Sequence, residues 1–250
     1  MIDSHAHLTS PEILPEVDAV VERAKAAGVG AMVNICTDQA SLEEGLKLGR
    51  RHSEVYNTAA TTPHDVEKDG EAFFPLVEKH ASELVAIGET GLDYYYEHSP
   101  KKLQREFLSR YFVLAEKVSL PLVFHCRDAF ADLFSMADSE YKGEAVLHCF
   151  TGTIDEAKGV LDRGWYVSFS GIITFKRSEG LRKVVQYVPL DRLFVETDSP
   201  YLAPQGKRGK KNEPAYMVET VQRIAELKGV SMQEVEKATV ENISKFFVLK

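Results

Sequence analysis

The chain has 250 residues, of which 44% are hydrophobic, and this length and composition suffice for one large buried core. Its 38 acidic and 30 basic residues give a formal net charge of −8, which excludes a protein that holds nucleic acid by net charge alone, but not one that binds a phosphate substrate through bound cations. Three cysteines exclude a disulfide framework, and without a membrane-length apolar run or a signal-peptide pattern we expect a cytoplasmic protein.

Short apolar runs alternate with helical patterns along the chain. We predict eight strands, in the stretches MIDSH, AMVNIC, VYNTAA, LVAIGE, PLVFHC, AVLHCF, WYVSFSG and RLFVETD. We predict helices near 12–27, 41–52, 71–83, 101–118 and 129–137, a further helix beyond residue 153, and two terminal helices. Continuous apolar runs of this length are typical of parallel strands with both faces buried.

Several helix starts have local signals. Ser10 and Pro11 suit the N-cap and first turn of the first helix. Thr153 and Ser231 are each followed three residues later by a glutamate, which predicts two capping boxes.

Eight strand–helix units in about this length predict a TIM barrel, a closed ring of eight parallel strands surrounded by helices. An open doubly wound sheet is the alternative, but it would more often have a glycine-rich first turn, which DSHAHL lacks. The chain has no internal repeat, low-complexity segment or linker. We therefore expect one α/β domain over residues 1–250, with a C-terminal helical extension.

Polar side chains follow the apolar runs, at the strand ends where TIM barrels carry their active sites. These side chains are His5 and His7 after the first strand, Glu89 after the fourth, His125 after the fifth, His148 after the sixth and Asp198 after the eighth. Because side chains alternate along a strand, the imidazoles of His5 and His7 point the same way. Two convergent neutral imidazoles suit a divalent metal, although HAH alone could be a pair of histidines in a surface turn.

Six potential ligands are too many for one protein-bound catalytic ion and suit two ions that share a bridging carboxylate, for which we take Glu89. Glu89 could instead pair with a lysine, Asp198 could cap a helix, and His125 and His148 could be core histidines. We favour metal ligation, with Asp198 also accepting a proton from the attacking water. Alternation turns the cysteines after the two histidines away from the site, so we interpret all three cysteines as small buried residues.

The sequence resembles the TatD family of metal-dependent deoxyribonucleases, within the amidohydrolase superfamily. The matching motifs are DSHAHL, IGETGLDYYY, LPLVFHCRDA, HCFTGT, SFSGIITFK and PLDRLFVETDSPYLAP followed by RGKKNEP, in this order over nearly the whole chain. The resemblance implies a TIM barrel with two divalent cations (Mg²⁺, Mn²⁺ or Zn²⁺). It also implies ligand roles for His5, His7, Glu89, His125, His148 and Asp198.

Two loops depart from the family pattern. TTPHD stands where the family usually has HPH, so Thr62 replaces the first histidine and His64 remains. PQGKRGK stands where the family usually has PxPHRGK. Both loops border the barrel mouth, so the departures concern substrate contacts and not the metal ligands.

Further residues near the mouth are candidates for substrate contact or support. We expect His64 and Arg208 to bind substrate, and Arg127 is a second candidate for phosphate contact. The tyrosines at 94–96 could stack on an exposed base, although at least one is expected to pack within its loop. We interpret Asp93 as a carboxylate that orients a ligand histidine.

We predict a metal-dependent deoxyribonuclease that hydrolyses phosphodiester bonds in single-stranded DNA or at 3′ ends, because a barrel mouth does not easily admit a duplex. One alternative is a hydrolase of another bond, such as the ester of D-aminoacyl-tRNA. A non-catalytic binding module is a third reading, which the complete set of six ligands disfavours. The sequence gives no sign of membrane association or of an obligate protein partner.

Overall fold

The computed structural model describes residues 1–249 and contains a sheet of eight strands whose order follows the sequence. The strands are β1 (Ile2–Ala6), β2 (Ala31–Cys36), β3 (Val55–Ala59), β4 (Ala86–Asp93), β5 (Leu122–Arg127), β6 (Ala145–Leu147), β7 (Tyr166–Phe169) and β8 (Leu193–Val195). The helices are α1 (Val17–Ala26), α2 (Gln39–Arg51), α3 (Val66–His80), α4 (Lys101–Val118), α5 (Phe130–Glu140), α6 (Ile154–Asp162), α7 (Glu179–Tyr187), α8 (Met217–Lys228) and α9 (Met232–Phe246). No helix within residues 1–249 combines the length and the apolar character that crossing a bilayer requires.

The sheet closes into a barrel where the end of β8 meets β1. All seven neighbouring strand pairs from β1 to β8 are parallel. Beyond β8, the Asp198 N–H donates to the carbonyl of His5 at 2.9 Å, and the His7 N–H donates to the carbonyl of Ser199 at 2.7 Å. The prediction of a TIM barrel is confirmed. The closure places the C-terminal ends of β1 and β8 side by side.

Helix α9 is the predicted C-terminal extension, and it covers the N-terminal end of the barrel. The rings of Tyr166, Phe194, Phe246 and Phe247 form a cluster that we call the aromatic plug. The Phe246 ring lies 5.3 Å from Phe194 and 5.5 Å from Tyr166, centroid to centroid. All four residues are buried together with apolar residues from the beginnings of β1, β4 and β5. Because this end is sealed by apolar side chains, a substrate can enter only from the C-terminal end.

Two helix starts differ from the sequence-based expectation. The first helix was expected from residue 12, but α1 begins at Val17 after a short 3-10 turn that contains Pro15. A proline inside a helix lacks an N–H donor and its ring clashes with the preceding turn, so the α-helix starts only beyond it. The hydroxyl of Ser10 caps no helix and has no hydrogen-bond partner in residues 1–249. Helix α3 begins five residues before the expected position 71, at Val66, whereas both expected capping boxes are present.

Candidate metal centre

The six predicted ligands meet at the C-terminal end of the barrel, and Glu89 lies between two groups of histidines. The Oε2 atom of Glu89 lies 3.4 Å from Nε2 of His5 and 3.8 Å from Nε2 of His7. Its Oε1 atom lies 2.9 Å from Nδ1 of His125 and 2.9 Å from Nε2 of His148. Each oxygen of one carboxylate therefore faces its own pair of imidazoles, as a bridge between two cations requires.

Asp198 completes the group that contains His5 and His7. Its Oδ1 atom lies 3.4 Å from Nε2 of His7 and 3.8 Å from Nε2 of His5. Asp198 follows β8, and the β8–β1 closure places it beside His5 of β1 and His7, which follows β1 directly. The first group can thus offer two imidazole nitrogens and two carboxylate oxygens, and the second group two imidazole nitrogens and one carboxylate oxygen.

The close pairing of β4 with β5 depends on Gly91. Gly91 is in register with His125 and has a φ of +147°. A Cβ atom at this position would lie 1.9 Å from the carbonyl oxygen of His125, so no other residue fits without a backbone shift. This close approach lets Glu89 on β4 reach the imidazole of His125 on β5.

His5 has the properties of a neutral metal ligand. Its side chain is completely buried, and neither ring nitrogen has a hydrogen-bond partner in residues 1–249. Burial, and then the nearby His148, lowers the pKa of His5 and so favours the neutral imidazole. The two rings are stacked with centroids 3.9 Å apart. A buried nitrogen without a partner is costly in a folded protein, and coordination would satisfy it.

The carboxylates of the site are held in their charged form. Burial would raise the pKa of Glu89, but His148 and then His125 hold it well below its usual range. Burial likewise opposes the lowered pKa of Asp198, which the hydrogen bond with His7 lowers most strongly. Ionised carboxylates with imidazole nitrogens form a mixed donor set that fits Zn²⁺ or Mn²⁺, and its oxygens fit Mg²⁺. The residues present therefore suit divalent cations.

Asp93 lies behind His125, on the side away from Glu89. Nε2 of His125 donates to Oδ2 of Asp93 at 2.8 Å, while Nδ1 of the same ring faces Glu89. Burial works against ionisation, yet this hydrogen bond and the backbone N–H of Tyr96 lower the pKa of Asp93 to about 2. A carboxylate on the outer nitrogen fixes the orientation of a ligand imidazole, which is the geometry expected for Asp93 from the sequence.

Glu196 lies behind His148, and the sequence alone predicts no role for it. It is completely buried, and its Oε1 atom accepts the N–H of Cys149 at 2.6 Å. The same oxygen lies 3.6 Å from Nδ1 of His148. One signal could have identified it: positions 196 and 198 are two apart beyond β8, as positions 5 and 7 are at the end of β1.

The predicted substrate contacts lie at two places around the mouth. Nε2 of His64 lies 3.6 Å from Oδ2 of Asp93, so His64 borders the second histidine group, whereas Thr62 donates to Asp65 within its own turn. The exposed Arg208 lies in the loop after β8, with its guanidinium 4.6 Å from the centre of the Phe175 ring.

The tyrosines at 94–96 divide into two types. Tyr94 donates to Asp132 at 2.7 Å and packs within the protein, as expected for at least one of the three. Tyr95 and Tyr96 are exposed, and the guanidinium of Arg127 lies 3.8 Å and 4.8 Å from their ring centres. These two rings, which meet edge to face, form with Arg127 an aromatic and cationic surface beside the mouth, which we call the tyrosine ledge.

A closed barrel with paired histidine–carboxylate groups at its C-terminal end defines a metal-dependent hydrolase. The family described as TatD related DNase matches residues 2–248, and the chain belongs to this family. It is 36% identical over 252 residues to YabD of Bacillus subtilis, named an uncharacterized metal-dependent hydrolase, over 99% of this chain and 98% of that protein. It is 37% identical over 257 residues to the 3′-5′ ssDNA/RNA exonuclease TatD of Enterobacter lignolyticus, over 99% of this chain and 98% of that protein. The crystal structure of YJJV, a TatD homologue of Escherichia coli K12, superimposes with a TM-score of 0.94 at 25% identity, over 100% of this chain and 98% of that one.

Proposed function

We propose that this hydrolase is a deoxyribonuclease that removes nucleotides from the 3′ ends of single-stranded DNA with the help of two divalent cations. The observation that carries the proposal is the division of Glu89, whose two oxygens face two separate pairs of histidines. Relatives named as 3′-5′ ssDNA/RNA exonucleases support the substrate class.

The candidate ligands fall into two sets that share one carboxylate. His5, His7 and Asp198 would hold the first cation, His125 and His148 the second, and Glu89 both. Cations bound there would lower the pKa of water and would neutralise charge on the phosphate oxygens. Asp93 would keep His125 in orientation through its hydrogen bond to the outer nitrogen, and the Glu196 carboxylate lies 3.6 Å from the outer nitrogen of His148.

Asp198 is the residue that we assign to proton transfer. Its lowered pKa means that it enters the reaction ionised, and Oδ1 is the oxygen that faces the histidines. The remaining oxygen, Oδ2, would accept a proton from the attacking water. The other predicted substrate contacts are phosphate contacts by His64 and Arg208 and base stacking on the tyrosine ledge.

The direct test is cleavage of a 5′-labelled single-stranded oligonucleotide by metal-stripped enzyme and by enzyme reloaded with Mg²⁺, Mn²⁺ or Zn²⁺. We expect a ladder that shortens from the 3′ end and requires added metal. Glu89→Gln should remove this activity, and the exposed Glu226→Gln on α8 is the matched control. A metal analysis of the reloaded protein should give two cations per chain. Cleavage that is independent of metal and of Glu89 would reject the proposal.

The alternative substrate is the ester of D-aminoacyl-tRNA. It stays an alternative because the TTPHD and PQGKRGK loops, which border the barrel mouth, depart from the family pattern. The same reloaded enzyme should be assayed on both substrates. Faster hydrolysis of the aminoacyl ester than of DNA would favour the aminoacyl ester as the substrate and reject our proposal.

The cytoplasmic location expected from the sequence stays a prediction, with which the three free cysteines agree.

A further inference from the structure

A cavity of about 380 Å³ opens beside His7, at the C-terminal end of the barrel. The loop after β1, the end of β2, the first turns of α2 and the loop after β8 surround it. His7 also belongs to the first ligand group, with Nε2 at 3.4 Å from Asp198. A molecule held at that group therefore extends directly into this cavity.

The cavity combines flat apolar surface with hydrogen-bonding groups. Leu14 and Ile35 supply apolar wall, and Thr37 supplies a hydroxyl. Tyr201 is 52% exposed, and its ring meets the ring of His7 edge-on at a centroid distance of 5.8 Å. An exposed aromatic ring next to apolar wall is a stacking surface for a nucleobase.

The charge of the lining disfavours a phosphate inside the cavity. Asp38 and Glu44 line it, whereas no lysine or arginine does. Glu44 is paired with Lys47 at 2.8 Å, so the carboxylate of Asp38, which caps α2, is the main unpaired charge. Like charges repel phosphate, while carboxylates and hydroxyls accept hydrogen bonds from base and sugar donors.

Basic residues lie in other loops at the same end of the barrel. Arg127 belongs to the tyrosine ledge at the end of β5, Lys176 and Arg177 are exposed in the loop after β7, and Arg208 is exposed after β8. These positions suit the phosphates of a strand that approaches the metal centre from the β5–β8 side. The cavity on the β1–β2 side then receives the part of the substrate on the 3′ side of the scissile phosphate.

We propose that this cavity binds the 3′-terminal nucleoside of the strand, with its 5′-phosphate at the metal centre and its base against Tyr201. The proposal rests on the proposed function and deepens it, because a site that repels phosphate accepts one terminal nucleoside and no continuing chain. Its volume lies low in the range of about 300–1,000 Å³ that is usual for small-ligand pockets. A larger cavity of about 540 Å³ lies between α4 and α5, and none of the six candidate ligands lines it.

The test compares two chromogenic diesters that differ only in the nucleoside. One is thymidine 5′-(p-nitrophenyl phosphate) and the other is methyl p-nitrophenyl phosphate. In each, water adds to phosphorus, the bond from phosphorus to the aryl oxygen breaks, and p-nitrophenol leaves with the proton. The products are thymidine 5′-monophosphate and methyl phosphate, and kcat/KM is measured with metal-reloaded enzyme.

We expect the wild-type enzyme to prefer the thymidine ester by at least about tenfold, the value of one good stacking contact. Tyr201→Ala and the cavity-filling Ala40→Phe should reduce this preference, measured as the ratio of the two kcat/KM values, about tenfold. Tyr187→Ala, an exposed tyrosine on α7, is the matched control and should keep the preference.

The outcomes separate the two proposals. Metal-dependent hydrolysis of both esters without a nucleoside preference, or a preference that survives both cavity variants, overturns the cavity assignment and leaves the nuclease intact. Hydrolysis of neither ester, with rapid hydrolysis of an aminoacyl ester that the cavity variants slow, overturns both. A preference that only the cavity variants remove supports the assignment.

Discussion

The N-terminal end of the barrel holds a cluster of aromatic rings, whereas the C-terminal end holds buried imidazoles and carboxylates. At the N-terminal end, Phe194 and Phe246 of the aromatic plug are almost completely buried, and the hydroxyl of Tyr166 accepts a hydrogen bond from Arg192. At the C-terminal end, His5 and Glu196 are equally buried but leave polar atoms without partners in residues 1–249. Burying an unpaired polar group costs free energy and burying an aromatic ring gains it. The plug end therefore stabilises the fold through packing, whereas the other end carries buried polar atoms that metal coordination would satisfy.

The largest effect is expected from Glu89→Gln. It removes the one charge shared by the two histidine groups, so kcat/KM on single-stranded DNA should fall about 10³-fold, on the scale of several kcal/mol of charge stabilisation. The metal-free protein should still fold, because the amide keeps the shape of Glu89 and the aromatic plug is unchanged, although the ion pairs with His125 and His148 are lost. A loss of folding together with activity would contradict the division between the two ends.

Phe246→Ala tests the opposite end. Deleting a buried ring of the aromatic plug should lower the free energy of unfolding by about 3–5 kcal/mol in urea titrations. Activity per folded molecule at 25 °C should not change, because the ring lies at the end of the barrel away from the ligands. Val248→Ala, at an exposed position, should stay within about 0.5 kcal/mol of wild type.

Asp93→Asn tests how the orientation of His125 at the C-terminal end affects the metal dependence of activity. The amide keeps the shape but loses the charge that holds His125, so the metal concentration for half-maximal activity should rise about 10–100-fold. Saturating metal should restore most of kcat, which a merely structural defect would not allow. Asp138→Asn on α5, an exposed carboxylate that pairs with Arg163 and contacts none of the candidate ligands, serves as the matched control.

The smallest effect is expected from Arg208→Ala. Loss of one exposed phosphate contact should raise KM for a single-stranded oligonucleotide about threefold and lower the salt dependence of log KM by about one unit of slope. The measurement is KM at several salt concentrations. Arg223→Ala on α8 removes an equivalent exposed charge elsewhere and should change neither quantity. Equal effects of the two substitutions would mean that Arg208 acts only through net charge.

Much of the candidate site could be predicted because strand ends are marked in the sequence. In a parallel barrel all strands end on the same side, so a polar residue after each apolar run must reach the same rim. This reasoning located His5, Glu89 and His125, and the structure brings them together. It gave no role to Glu196, whose contact with His148 depends on how two separate loops meet.

The sequence by itself determined the number of strands, their succession along the chain and the six candidate ligands in or just after these strands, because hydrophobic periodicity and alternation are local properties. Only the tertiary structure decided which oxygen of Glu89 faces which histidine pair, which end α9 seals, and where a cavity opens beside His7. These features depend on the register of neighbouring strands and on the closure of β8 onto β1. Register and closure join residues almost two hundred positions apart, which no local pattern encodes.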